Sequence, residues 1–362
     1  MKDWRLAGQG AAALAGGMGI GRFAFTPILP IMQAQAGLTA RLGAWLATAN
    51  YLGYLAGALA AIAVPRLVGS RWALRSSLLI LTATLALMPL TGSAQLWLVL
   101  RLTAGIASAL VFVIAVSAVL PRLHGHHVGW VFGGVGAGIA LSGAALAGHG
   151  WRTAWLLSAA LSIACAIPAW NLTGTPTSAA ATDRGSSRHF AALFTSYSLE
   201  GTGYIVAGTF LVAAINETST AGNGAWVIVG LAALPSTVLW ARLSRTWPRS
   251  TVLLTALVLQ AVGIALPVVV PGVAAALISA ALFGGTFLGV ANLALAIGTE
   301  LQVPRAVAIL TTGYSVGQII GPLAVGPLLH NGYHQALLVS AAVVALAAVA
   351  ALPVRLHSRR LT

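Results

Sequence analysis

Long apolar runs separated by short polar gaps fill this chain from end to end. A helix that crosses a bilayer needs about 20 mostly apolar residues. Twelve runs meet that length: 7–32, 42–64, 76–92, 96–120, 127–148, 152–170, 190–214, 223–241, 251–270, 273–297, 306–329 and 335–353. The longest gap, 171–189, reads NLTGTPTSAAATDRGSSRH and has no hydrophobic periodicity. Such a Thr/Ser/Gly/Ala-rich stretch reads as a flexible linker. The pattern therefore predicts an all-α membrane protein of twelve transmembrane helices in two six-helix bundles. The expected units are 1–170, a linker over 171–189, and 190–362.

Composition supports a lipid solvent. Apolar residues make up 59% of the chain and charged residues 7%. A soluble domain carries roughly 25% charged residues, so this chain cannot coat itself against water. The opening Lys2 and Arg5 before an apolar run resemble a signal peptide. That run continues to Met32 with Arg22 inside it, and further spans follow, so it reads as a retained first helix. Cys165 is the single cysteine, which leaves no intrachain disulfide or cysteine-based metal site.

The net charge of +14 would suit nucleic acid only if it clustered on a soluble face. Instead the basic residues fall in the gaps, so no nucleic-acid partner is expected. Positive residues concentrate in cytoplasmic loops. With the N-terminus inside, the inner segments hold 15 of them: Lys2, Arg5, Arg66, Arg71, Arg75, Arg122, Arg184, Arg188, Arg242, Arg245, Arg249, Arg305, Arg355, Arg359 and Arg360. The outer loops hold Arg41 and Arg152, and Arg22 and Arg101 fall within spans. The alternation predicts an even span count, both termini in the cytoplasm and an inner-membrane location.

The second half echoes the first. Gly19 and Gly21 recur as Gly201 and Gly203, Pro121-Arg122 as Pro304-Arg305, and Ser158-Ala159-Ala160 as Ser340-Ala341-Ala342. The offset stays at about half the chain. Parallel repeats of this kind place a substrate site between the halves near the bilayer midplane.

The first run reads Gly19-Ile20-Gly21-Arg22-Phe23-Ala24-Phe25-Thr26-Pro27-Ile28-Leu29-Pro30. Together with Asn50-Tyr51-Leu52-Gly53-Tyr54, Glu200-Gly201-Thr202-Gly203-Tyr204 and Gly313-Tyr314-Ser315-Val316-Gly317-Gln318, it resembles the YbfB/YjiJ-like branch of the major facilitator superfamily. The resemblance covers essentially the whole chain. It implies the major facilitator fold, a central cavity lined by helices one, four, seven and ten, and a secondary transporter, but no substrate. Arg101-Leu102-Thr103-Ala104-Gly105 is similar to a fourth-helix motif of the superfamily that the resemblance links to proton coupling. The usual acidic latch after the second helix is missing, since 42–75 holds no acid and only Gly69, Arg71 and Arg75 echo it.

Candidate chemistry centres on charges inside spans. A charge at the bilayer centre costs at least roughly 2.5–3.5 kcal/mol and marks a functional site by default. Arg22 sits near the middle of the first run, with Gly19 and Gly21 beside it, and Pro27 and Pro30 predict a bend. Glu200 is the one acid in a helix core. It lies with Tyr197 and Tyr204 at i, i+3, i+7 spacing, three and then four residues apart, which puts the three on one helix face. Arg22 is expected to meet an anionic group, from substrate or from Glu200. Glu200, with Arg101, is the candidate for proton coupling. The blander alternative makes Arg22–Glu200 or Arg101–Glu200 a structural ion pair, and lets Arg101 snorkel to the headgroups.

Asn50, Tyr51, Tyr54, Tyr197, Tyr204, Asn292, Tyr314 and Gln318 complete the candidate substrate-binding set. Interhelical hydrogen bonds explain such residues equally well. The glycines 129, 133, 134, 136, 138 and 143 in the fifth run read as close helix packing rather than a dinucleotide loop, which would need a preceding strand. His124, His126 and His127 read as a solvated loop and not a metal site. Trp4, Trp72, Trp97, Trp151, Trp226 and Trp247 fall near span ends, as interfacial tryptophans do.

What is missing separates the classes. The sole lysine is Lys2, so a Walker A loop and a retinal Schiff base are excluded. No cofactor is expected and no enzyme activity. The resulting expectation is a monomeric, proton-coupled transporter of a small organic solute, with a mild preference for a carboxylate. Efflux of neutral or cationic drug-like compounds is the alternative within the class. A non-transporting receptor or scaffold is the alternative outside it.

Overall fold

The structure, a computed structural model, describes residues 2–123, 126–174, 187–218, 221–303 and 305–358. Within these, twelve helices are long and apolar enough to cross a membrane. They are α1 (Asp3–Ala36), α2 (Ala40–Ala63), α3 (Arg71–Leu90), α4 (Ala94–Val119), α5 (His127–Leu146), α6 (Trp151–Ala169), α7 (Arg188–Glu217), α8 (Gly222–Thr246), α9 (Arg249–Val269), α10 (Val273–Glu300), α11 (Ala306–His330) and α12 (His334–Arg355). Helix starts are capped as polar gap residues dictate. Thr39, Ser70 and Ser93 accept the N–H of Leu42, Ala73 and Leu96. Gly37, at φ 65°, closes α1 by donating its N–H to the Met32 carbonyl.

The packing repeats. In the first half α1 packs on α5 and α6, and α4 packs on α2 and α3. In the second half α7 packs on α11 and α12, and α10 packs on α8 and α9. Adding six to each label turns one set into the other. The halves meet through α5 with α8, α2 with α11, and the second part of α1 with α7. A two-fold operation exchanges the first two contacts and maps the third onto itself. This is the major facilitator arrangement of two six-helix bundles. Large apolar side chains such as Leu90, Ile167 and Val269 are exposed on the outside, where lipid tails would cover them.

Glycine sets how closely these helices approach. A Cβ on Gly134 would lie 2.1 Å from the Ala11 carbonyl oxygen, and one on Gly230 would lie 2.2 Å from the Ala140 nitrogen. The glycines of α5 thus face two helices, α1 within its own half and α8 across the interface.

The first helix is broken where the sequence predicts a bend. Proline has no N–H, and its ring clashes with the carbonyl four residues back. The turns before Pro27 loosen accordingly. Ala15–Ile20 is π-helical, with Gly21 N–H bonding Gly16 O at 2.9 Å and Phe23 N–H bonding Met18 O at 3.2 Å. Thr26 N–H turns to the Phe23 carbonyl at 3.1 Å. The Arg22 carbonyl is thereby released from the helix ladder.

Candidate functional site

Two spans are far more enclosed than the rest. The most apolar window of α1 is 94% buried and that of α7 is 83% buried, against 56% or less for the other ten. The centre of the molecule therefore lies between α1 and α7, and Arg22 and Glu200 are both in it.

Arg22 is 3% exposed. Its Nη2 donates to Gln318 Oε1 on α11 at 2.6 Å. Gln318 Nε2 in turn donates to the Tyr204 hydroxyl on α7 at 2.7 Å. The guanidinium lies over the rings of Tyr54, Tyr51 and Phe23, at 4.4, 4.9 and 5.5 Å from their centroids. Cation–π attraction of this kind is worth more when the cation is desolvated. The Arg22 Nε is buried without a partner. Tyr51 also reaches across the halves, its hydroxyl 2.8 Å from Thr209 Oγ1 on α7. Thr26 donates to the Gly208 carbonyl at 2.5 Å.

On the α7 side the tyrosines form a stack. Tyr314 lies 4.4 Å from Tyr197 and 5.4 Å from Tyr204, with interplanar angles of 18° and 16°. Tyr204 continues it onto Phe287 of α10 at 6.1 Å. Arg22, Tyr51, Tyr54, Tyr197, Tyr204, Tyr314 and Gln318 of the expected set are thus gathered in one place.

Other expected members go elsewhere. Asn50 is fully buried, and its Nδ2 donates to the Arg101 carbonyl at 2.9 Å. It binds α2 to α4 at a point where Gly53 and Gly105 already bring the two backbones together. Asn292 lines a separate cavity of about 290 Å³ with Thr237, Trp240, Arg242 and Arg245. It lies more than a turn beyond Phe287, away from the Arg22 group. Helices one, two, seven and eleven supply the polar contacts of the cluster, while α4 brings Arg101 and α10 brings rings.

Glu200 is not paired with either arginine. Among the described residues the arginine–carboxylate ion pair is Arg249 with Glu300, and the other close basic–acidic contact is His334 Nε2 at 3.7 Å from Glu217 Oε2. Glu200 is fully buried, and its Oε1 accepts from Gln260 Nε2 of α9 at 3.1 Å. The side chain sits one helical step round from the tyrosine stack, because Tyr197 and Tyr204 face α11 whereas Glu200 faces α9. Arg101 does not snorkel. It is 2% exposed, lies over Phe25 at 4.8 Å, and its Nη2 donates to the released Arg22 carbonyl at 3.3 Å. Irregular backbone in a membrane protein persists where a neighbour satisfies the freed group, and Arg101 does so here.

The tryptophans also divide. Trp4, Trp72 and Trp247 are exposed near span ends, but Trp97, Trp151 and Trp226 are buried. Trp226 packs on Phe23 beside the cluster, 6.5 Å between centroids. Of the histidines, His124 and the side chain of His126 lie outside the described residues, and the His127 ring packs on Trp4. No group of three potential metal ligands occurs among the described residues.

Sequence reasoning missed several residues of this centre. Gln260 was visible as the only side-chain amide of the run 251–270. Thr26, Gly208 and Thr209 carried no such signal. A second missed contact lies toward the end of α1. Gln33 Nε2 donates to the Tyr333 hydroxyl, and Tyr333 N–H donates to Glu217 Oε1 at 3.1 Å. Burial pushes the Tyr333 phenol up to about 12, so it stays neutral and acts as a fixed strut between the halves.

The sequence matches the family described as "Uncharacterised MFS-type transporter YbfB" over residues 14–352. The chain belongs to this family of major facilitator transporters. No curated protein matches the sequence. Solved structures that share the fold include two of one transporter. The crystal structure of nucleoside transporter NupG aligns with a TM-score of 0.72 at 14% identity, over 97% of this chain and 98% of that one. A point mutant of the same transporter aligns with a TM-score of 0.71 at 14% identity, over 96% and 99%. At that identity the likeness speaks for the fold alone. A major facilitator transporter is an integral membrane protein that moves a small molecule, and the Arg22 cluster lies where its halves meet.

Proposed function

We propose that this YbfB-type transporter carries a small carboxylate-bearing solute by alternating access, coupled to protons. Residues 1–170 and 190–362 rock about the Arg22 cluster in an inner membrane, with both termini in the cytoplasm. The observation that carries the reading is the charge of the centre. Arg22 and Arg101 are both buried, and no carboxylate among the described residues pairs with either. An ion left unpaired in a protein interior costs several kcal/mol. An anionic ligand removes that cost, and a cationic one adds to it. The free Nε of Arg22 beside its Nη donors offers the two parallel bonds that a carboxylate accepts. Glu200, one step round α7, carries the coupling proton.

A ligand screen by thermal shift on the purified protein tests this, run with organic carboxylates, nucleosides and cationic drugs. A carboxylate is expected to stabilise the wild type. Charge-assisted hydrogen bonds contribute about 1.5–3 kcal/mol, so Arg22→Met should weaken its binding by about ten- to a hundredfold. The ligand-free Arg22→Met protein should melt no lower than the wild type, because it loses an unpaired charge. Stabilisation by cations alone, or a carboxylate bound equally well by Arg22→Met, would sink the reading.

A further inference from the structure

Glu200 and Gln260 share an unusual deficit. One hydrogen bond joins them, from Gln260 Nε2 to Glu200 Oε1 at 3.1 Å. The second carboxyl oxygen, Glu200 Oε2, is buried with no partner, and so is the amide oxygen, Gln260 Oε1. Both residues are fully buried. Buried acceptors are rarely left unbonded, and here two of them belong to one bonded pair. A single hydrogen between them would satisfy both. Exchanging the amide's nitrogen and oxygen leaves the conclusion intact. It would set Gln260 Oε1 against Glu200 Oε1 at the same 3.1 Å, and two acceptors at that distance also require a proton between them.

We propose that Glu200 and Gln260 form a proton-binding site in which the carboxylic acid and the amide close a two-bond ring. The proton sits on Glu200 Oε2 and is donated to Gln260 Oε1, while Gln260 Nε2 donates to Glu200 Oε1. Gln260 is the positioning residue. The proton arrives from water and returns to water, forming and breaking one O–H bond. When it leaves, the amide oxygen has no donor and the carboxylate keeps one. The closed arrangement then favours opening to water over holding the bare charge. The titratable neighbours are Tyr197 and Tyr204 on α7 and Tyr314 on α11. On the α12 side Ser196 and Ser340 bond the Ala347 and Gly203 carbonyls, so neither competes for the carboxyl. The inference rests on reading Glu200 as the coupling acid, and it adds the partner that controls it.

Infrared spectroscopy of the protein in lipid nanodiscs at neutral pH tests the ring without any transport substrate. The chain has five acidic side chains in all, which keeps the carboxyl region simple. The wild type should show a protonated-carboxyl carbonyl band that Glu200→Gln removes. Gln260→Leu should keep the band and move it to higher wavenumber, since the acid loses both bonds. Glu200→Asp, which draws the acid back by one methylene, should move it the same way if the leucine variant does not fold. No such band in the wild type, or a band that survives Glu200→Gln, overturns the proposal. A band lost in Glu200→Gln but unmoved in both Gln260→Leu and Glu200→Asp also overturns it, yet leaves Glu200 as a proton carrier. The reverse split is equally visible. A shifted band with proton-driven uptake intact in Glu200→Gln would keep the ring and reject the coupling.

Discussion

At the scale of single residues, the charges inside spans were the readable part of the site. Arg22 and Glu200 stood out because a bilayer tolerates few such groups, and both lie in the most enclosed part of the molecule. Their relation was not readable. The obvious pairing of the one buried acid with a buried base does not occur, because helical spacing aims Glu200 at α9 rather than at Arg22. A sequence gives the angle between neighbours on one helix but not which helix stands opposite. The same gap hid the surroundings of Asn50 and Asn292, whose polarity was plain and whose partners were not. The separation of acid from base has a functional consequence. If Glu200 carries the proton and Arg22 the solute, Glu200→Gln should abolish proton-driven accumulation and spare solute exchange. Uphill uptake at the wild-type level in that variant, measured in vesicles under an imposed pH gradient, would remove Glu200 from the coupling scheme.

At the scale of elements, span positions were legible to within a few residues. Bilayer thickness fixes their length, and capping groups such as Thr39, Ser70 and Ser93 mark their starts. The first span differed most, running from Asp3 to Ala36. Its bend was foreseeable from Pro27 and Pro30. The π-helical turn ahead of Pro27, and the use of the freed Arg22 carbonyl by Arg101, depend on a neighbour that local sequence does not identify. The glycine stripe of α5 read correctly as packing, and the structure adds that it faces two helices. Overpacking a tight contact costs about 1–3 kcal/mol. Gly134→Val should lower the melting temperature accordingly, because its Cβ would lie 2.1 Å from the Ala11 carbonyl. Gly8→Ala, with nothing within 4 Å of the new carbon, should not. Equal melting temperatures for the two variants would refute the packing account of that contact.

At the scale of the whole molecule, the repeat offset was the most informative feature of the chain. Gly19 and Gly201 are 182 positions apart, and so are Thr26 and Gly208, which bond each other across the halves at 2.5 Å. Arg22 and Tyr204 share that offset and are joined through Gln318. Equivalent positions can touch only near the axis that relates them, so the Arg22 cluster lies on the pseudo-two-fold of the molecule. There both bundles contribute to one site, and a relative rotation of the bundles changes which side reaches it. Counterflow in proteoliposomes tests that claim most directly, using the carboxylate that the thermal-shift screen returns. Unlabelled ligand trapped inside should accelerate saturable entry of labelled ligand in the wild type and fail to do so in Arg22→Met. Entry that does not saturate, or that ignores the trapped ligand, would contradict an alternating-access site at Arg22.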